Sequence, residues 1–314
     1  MRRMVTLLSL SLLVAAGCAP AGSEPDVALP SRDTWPAFDE RAAQVAEAWR
    51  PDPRWKSGYV PLQEPTVLVG KPGFSPDTET AFRAGWYRDQ IPLPTARRAD
   101  GTIRFPDGTL SVPLVAAAEA YRQLDQGDPP PCDGRPKDPG TPPPATPGGP
   151  DGAVSSAPQT ACVPLTVTAV ELGTVPVRTS RGEAQVPAWL FTVDELTARV
   201  ARLAVAPAAV GAVPQPTLPP APAPEGVVGA QDLRAVDGAT LTVRLGLGAC
   251  DTGTTPLVLE RDDVVVVGGG VIRSTGVCTD QLVLEPVTVR LAAPLGERPV
   301  LDVLTGAPLR ITTG

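Results

Sequence analysis

The sequence has no histidine, and only three of its 27 basic residues are lysines: Lys56, Lys71 and Lys137. Without imidazole there is no Ser-His or Cys-His dyad, no imidazole general base and no His-ligated metal. The lysine shortage, with no S-x-x-K spacing, removes Ser-Lys hydrolysis as well. Aromatic residues make up 4% of the 314 positions, and none follows Phe191. Positive charge is in deficit too. A net charge of −7 speaks against a nucleic-acid partner held by its phosphates. Phosphate-binding loops are missing: Gly70-Lys71 runs into Pro72, and Gly268-Gly269-Gly270 lacks the later spaced glycine. No cofactor is expected. What the chain has in quantity is proline, 40 residues, and 42% hydrophobic residues, enough for one or two packed cores.

The N-terminus reads as an export signal. Arg2 and Arg3 precede an apolar run over 4–16, shorter than the roughly 20 residues a spanning helix needs. Leu13-Val14-Ala15-Ala16-Gly17-Cys18 is similar to a bacterial lipobox, with Ala15 where leucine is commoner. The expectation is a signal peptide over 1–17 and lipidation of Cys18, giving a membrane partner through two acyl chains. An ordinary cleaved signal with an incidental cysteine is the alternative. Cleavage removes two arginines and no acid, so the mature body becomes still more acidic and is repelled by anionic headgroups. Residues 18–33 then read as a tether on the extracytoplasmic face of the cell membrane.

Four cysteines remain, and an even number in an exported chain points to two disulfides. The Pro-rich stretch 214–224 separates Cys132 and Cys162 from Cys250 and Cys278, so neighbour pairing keeps each bridge local. A four-cysteine zinc site is the rival, but no C-x-x-C pair exists. The Pro- and Gly-rich stretch at about 128–161 reads as a disordered loop stapled at its base.

Coarse patterning predicts an α+β N-terminal domain over 34–210, a linker over 211–226 and a small all-β C-terminal domain over 227–314, an antiparallel sandwich or barrel. The first contains an amphipathic helix over 36–49 carrying Phe38, Ala42, Val45 and Trp49. It also contains a strand at 65–70, a hairpin around Asp107-Gly108 and a helix over 112–124 capped by Ser111. Strands follow at 165–172, 183–193 and 199–205. In the second, Leu241, Val243, Leu245 and Leu247 alternate onto one face, Val264–Val267 reads as a buried strand, and Pro286 suggests a bulge or strand boundary. Leu172-Gly173-Thr174-Val175-Pro176-Val177 and Leu295-Gly296-Glu297-Arg298-Pro299-Val300 share L-G-x-x-P-V, a faint sign of duplication.

The lipobox, the LTVT…LGT…TSRG…VPAWLFTV run and CD…VLERDDVVVV…C…VTVRL..PLGERPVLDVLTG together resemble extracytoplasmic lipoproteins of high-GC actinobacteria. That group has no assigned activity, so the resemblance implies architecture and location without chemistry.

For chemistry, Asp251-Thr252-Gly253-Thr254 matches the aspartic-protease signature, in which two aspartates share a proton. No second D-T-G occurs, and Asp-Thr-Gly is ordinary turn chemistry. Carboxylate-pair hydrolysis of glycans needs no histidine, with Asp194, Glu195, Asp262, Asp263 and Glu285 as candidates. For binding, Trp55, Tyr59, Trp86 and Tyr87 lie beside Arg54, Lys56, Arg88 and Asp89, and aromatic faces flanked by charge suit sugars, cations or peptide. The preferred expectation is a non-enzymatic binding or scaffold module of the cell envelope, with a protein or glycan partner. A His-free hydrolase, on glycans or as a dimeric aspartic protease around Asp251, is the alternative.

Overall fold

Alternating β-prone runs, more than helices, organise this chain. The computed structural model describes residues 35–127, 164–216, 218 and 222–312. Of these, 45% are in strands and 16% are helical. The expected α+β domain followed by a small all-β domain is therefore corrected: the body is mostly β, built on two curled sheets with four helices at their margins. The runs read as short strands extend into a long hairpin, β5 (Leu165–Thr179) and β6 (Gly182–Val193), turning at Ser180-Arg181. Cys18, Cys132, Cys162, the tether and the Pro-rich loop lie outside the described residues.

Strand β6 is the axis of the first, seven-stranded sheet. One edge pairs with β5 throughout; the other takes β3 (Gly101–Phe105) at Gln185 and β7 (Arg199–Leu203) at Ala188–Phe191. The remaining strands are β1 (Thr66–Val69) beside β7, β4 (Gly108–Val112) beside β3, and β2 (Tyr87–Asp89) parallel to β5. Helix α4 (Ala117–Leu124) covers the inner face with Ala117, Ala120, Tyr121 and Leu124. It starts five residues later than Ser111 suggested, because Val112 stays paired in β4 and Val115 N–H bonds Ala204 O. Helix α3 (Pro76–Ala84) has a reciprocal capping box between Ser75 and Thr78 and a left-handed Gly85 at its end.

In the second, six-stranded sheet, β11 (Val265–Ile272) pairs with β10 (Thr252–Glu260) on one edge. Its other edge takes β8 (Val227–Asp237) and the parallel β13 (Val300–Asp302). β9 (Thr240–Gly248) and β12 (Leu282–Arg290) complete the order. Leu241, Val243, Leu245 and Leu247 all point into the core, as their alternation predicts. Pro286 makes no bulge: register with β9 is unbroken through Pro286↔Arg244, and β12 lies at the end of the strand order, where a missing N–H is tolerated.

Helix α1 (Pro36–Ala48) packs on this second sheet, not on the first. Phe38, Ala42, Val45 and Ala46 lie against Val227, Val266, Leu301 and Val303, and Trp35 and Trp49 flank them. The helix thus brings aromatic area to a sheet that has none of its own. Gly268, Gly269 and Gly270 make the space: a Cβ on Gly270 would sit 2.3 Å from Trp35, and one on Gly269 would sit 2.5 Å from Leu245. They serve packing, not phosphate. Trp35 is the cap residue of this helix, with no side-chain capping bond.

Val213 packs with Trp55, Val60 and Leu62, and Leu218 joins the α1 cluster. Residues from Trp35 onward form one compact unit. The chain end closes it, with Ile311 N–H bonding Leu62 O and Glu64 N–H bonding Ile311 O. The two L-G-x-x-P-V segments are not structural copies. The first lies inside β5, whereas the second is a turn with Gly296 at φ 57° leading into β13.

Cys250 and Cys278 form a disulfide across 28 residues of sequence, joining the β9–β10 turn to the β11–β12 loop. Replacing both by serine is expected to lower unfolding free energy by about 3–4 kcal/mol through the freed denatured chain. Urea titration under non-reducing conditions checks this; coincident midpoints for variant and wild type would refute it.

Candidate functional site

Aromatic residues singled out by their sequence neighbours turn out to be separated. Trp55 is buried in a small cluster with Val60 and Leu62, Tyr59 and Tyr87 are buried in the first core, and Trp86 packs half-buried against that core. Burial raises both tyrosine pKa values well above the ordinary phenol range, and neither buried hydroxyl has a hydrogen-bond partner among the described residues. These residues supply core area. They do not form an exposed ligand platform, because in a chain with so few aromatics the large rings are drawn inside.

One member of that set still borders a site. Trp55, on the short helix α2 (Arg54–Ser57), meets Trp49 edge to face with ring centroids 5.2 Å apart. The pair closes one end of a cleft of about 710 Å³ where the two sheets meet. Its walls are hairpin tips: Asp107 of β3–β4 and Ser180-Arg181 of β5–β6 from the first sheet, Asp262-Asp263 of β10–β11 and residues 294–299 from the second. Turn residues at the tips of long paired strands are held by the sheets behind them.

Two of the three cations lining the cleft, Arg181 and Arg298, are already committed, and Lys56 stands exposed beside them. Arg181 grips Asp107 with its Nε and Nη2 at 3.1 and 2.6 Å, and its guanidinium carbon lies 3.8 Å from the Phe105 ring centre. Arg298 donates to Glu260 at 3.2 Å and to the carbonyls of Arg261, Ala293 and Pro294. Buried Arg178 reaches from β5 to the carbonyls of Gly296 and Arg298 at 2.6 and 2.9 Å, fixing the 294–299 wall to the first sheet. Asp262, Asp263 and Glu297 are exposed on the rim and carry no ion pair among the described residues.

The remaining carboxylates named from sequence are structural. Asp251 Oδ2 accepts from Gly248 N–H at 2.8 Å and Arg273 Nη1 at 2.6 Å, and Asp251 follows a disulfide cysteine at a turn. Its Gly253 has φ 64° beside a register shift in β10, so D-T-G here is turn and bulge chemistry. Glu195 accepts from Thr166 N–H and Oγ1 at 2.8 and 2.7 Å, tying the start of β5 to the end of β6. Burial pushes the Glu195 pKa up, but those hydrogen bonds and Arg88 prevail and hold it below the usual range. That support is present near neutral pH and is lost as pH falls through the lowered value. Asp194 accepts from Thr168 and Glu285 from Thr254. Among the described residues no group of three potential metal ligands converges.

The cleft lining had a partial sequence signal. Asp107-Gly108 and Asp262-Asp263 were legible as a turn and a charged pair; their convergence depends on the bonds that Arg178 makes from the first sheet to Gly296 and Arg298. No helix among the described residues is long and apolar enough to cross a membrane. No known protein family, curated protein or solved structure matches this chain.

Proposed function

We propose that this protein is an exported lipoprotein, anchored through Cys18, whose β body binds a cationic polypeptide segment of an envelope partner in the cleft between its sheets. The observation that carries the reading is the charge arrangement. Arg181 and Arg298 are neutralised by Asp107 and Glu260, so Asp262, Asp263 and Glu297 outnumber the one remaining cation, Lys56, around a tryptophan-lined end. Such a site favours a lysine or arginine with an apolar stem. The hydrolase alternative draws less support. The rim carboxylates stand in water, the reverse of the sheltered setting that keeps a general acid protonated.

The test combines two readouts. Mass spectrometry of the mature N-terminus should find a diacylglyceryl-modified Cys18; an unmodified N-terminus elsewhere removes the anchor. A photo-crosslinking residue at position 56 should give a discrete adduct in the cell envelope, and Asp262→Lys with Asp263→Lys should reduce it at least about tenfold. Equal adducts from a probe at Arg290, away from the cleft on β12, would overturn the site.

A further inference from the structure

A second concavity lies on the opposite flank of the first sheet, where β1 and β7 meet α3 and α4. It has a volume of about 350 Å³, at the small end of the range for small-molecule sites. Thr66 and Arg202, direct cross-strand partners on β1 and β7, form its floor. Phe82 and Leu124 give it apolar sides, and Gln123 and Gln126 add amides.

Arg202 is less completely partnered than Arg178, Arg181 and Arg244. Arg181 and Arg244 each clasp a carboxylate through Nε and Nη2, on Asp107 and Asp232 respectively. Arg178 has two close carbonyl acceptors. Among the described residues Arg202 has only the hydroxyl of Thr66 at 3.0 Å on Nη1 and the amide oxygen of Gln123 at 3.5 Å on Nη2, the latter too long for a strong bond. Its Nε is sealed from solvent with no partner among the described residues, and the residue lines the cleft. No carboxylate pairs with it among the described residues. Glu64 borders the same concavity, but its field acts on Arg244 of the second sheet. Burial lowers the Arg202 pKa, and no countercharge opposes that shift.

A half-buried guanidinium without a countercharge is costly unless something supplies one. A planar carboxylate fits the fork of Nη donors better than any neutral group does. We propose that the Arg202 cleft is a binding site for a small carboxylate bearing an apolar arm, with the carboxylate on Arg202 and Thr66 and the arm between Phe82 and Leu124.

The test is calorimetric titration of the full-length chain in detergent with benzoate, acetate and inorganic phosphate, alongside saturation-transfer NMR of the benzoate ring. Benzoate should bind saturably and about tenfold more tightly than acetate, the margin coming from the buried ring. Arg202→Gln should weaken benzoate at least about tenfold while leaving the thermal midpoint unchanged or raised. Arg202→Lys should fall between. Three results would overturn the proposal. One is the absence of saturable binding. Another is acetate or phosphate matching benzoate, which would make the cleft an indifferent anion sink. The third is a sharp fall of the midpoint in Arg202→Gln, which would make the guanidinium a structural donor; the wild-type comparison of benzoate with acetate needs no variant to fold.

Discussion

Truncating Trp189 to alanine is expected to destabilise the protein by about 3–5 kcal/mol, the range for emptying a large aromatic site in a packed core. Trp189 lies on β6 and is 2% exposed. It stands in a cross-strand row between Leu172 of β5 and Arg202 of β7. Its indole Nε1–H donates to Val115 O at 3.0 Å, just ahead of α4, so the ring ties the axial strand to the helix-bearing layer. Truncation therefore opens a cavity and also strands a buried carbonyl, which adds about 1 kcal/mol or more. Trp189→Phe keeps most of the ring area and loses the donor, so its cost should be well under half as large. Urea unfolding gives both numbers. A shift below about 1 kcal/mol for the alanine variant would mean that β6 is not the axis of the core.

The same residue shows where the sequence was readable. VPAWLFTV stands out as a strand because β-branched and aromatic residues dominate it, and the structure pairs it along its whole length. Leu241 to Leu247 were readable for a related reason: one side of β9 is buried, so the alternation survives in the composition. Helix α3 was missed although Ser75, Pro76, Thr78 and Gly85 spell out its cap, first turn and stop, because only Ala81 of its residues is buried and no apolar stripe flags it. The partner of α1 could not be read at all. Phe38, Ala42 and Val45 show that the helix has an apolar face; nothing local says that the face belongs to a sheet some 200 residues later. That choice turns on Gly270, whose lack of a side chain only matters once Trp35 lies on it. Missing it split the chain into an α+β half and a β half, and it hid the cleft that the two sheets enclose.

Arg178 offers the sharpest contest between two effects at that junction. Burial lowers its pKa to about 10, with Glu183 and Glu297 acting in the opposite sense. The unfolded chain then binds more protons than the folded one between that value and the ordinary arginine range. The cost of burying the charge is accordingly present in full below about pH 10 and is relieved only as pH rises through that window. Against this cost stand two charge-assisted hydrogen bonds to Gly296 O and Arg298 O, which hold the 294–299 wall. Arg178→Ala loses both bonds and leaves a void, and is expected to cost about 3–5 kcal/mol. Arg178→Lys keeps the charge but cannot fork to two carbonyls, so it should recover at most half of that loss. Arg178→Met decides between the effects: it removes the desolvation cost, fills the space and leaves both carbonyls without a donor. If the inter-sheet bonds dominate, the methionine variant is less stable than wild type by about 1–3 kcal/mol in urea, and the position 56 crosslink weakens in parallel as the wall loosens. A methionine variant more stable than wild type would show that the buried charge is a burden, and that the Trp49–Trp55 contact, with the Leu62–Ile311 backbone bonds, holds the two sheets together without it.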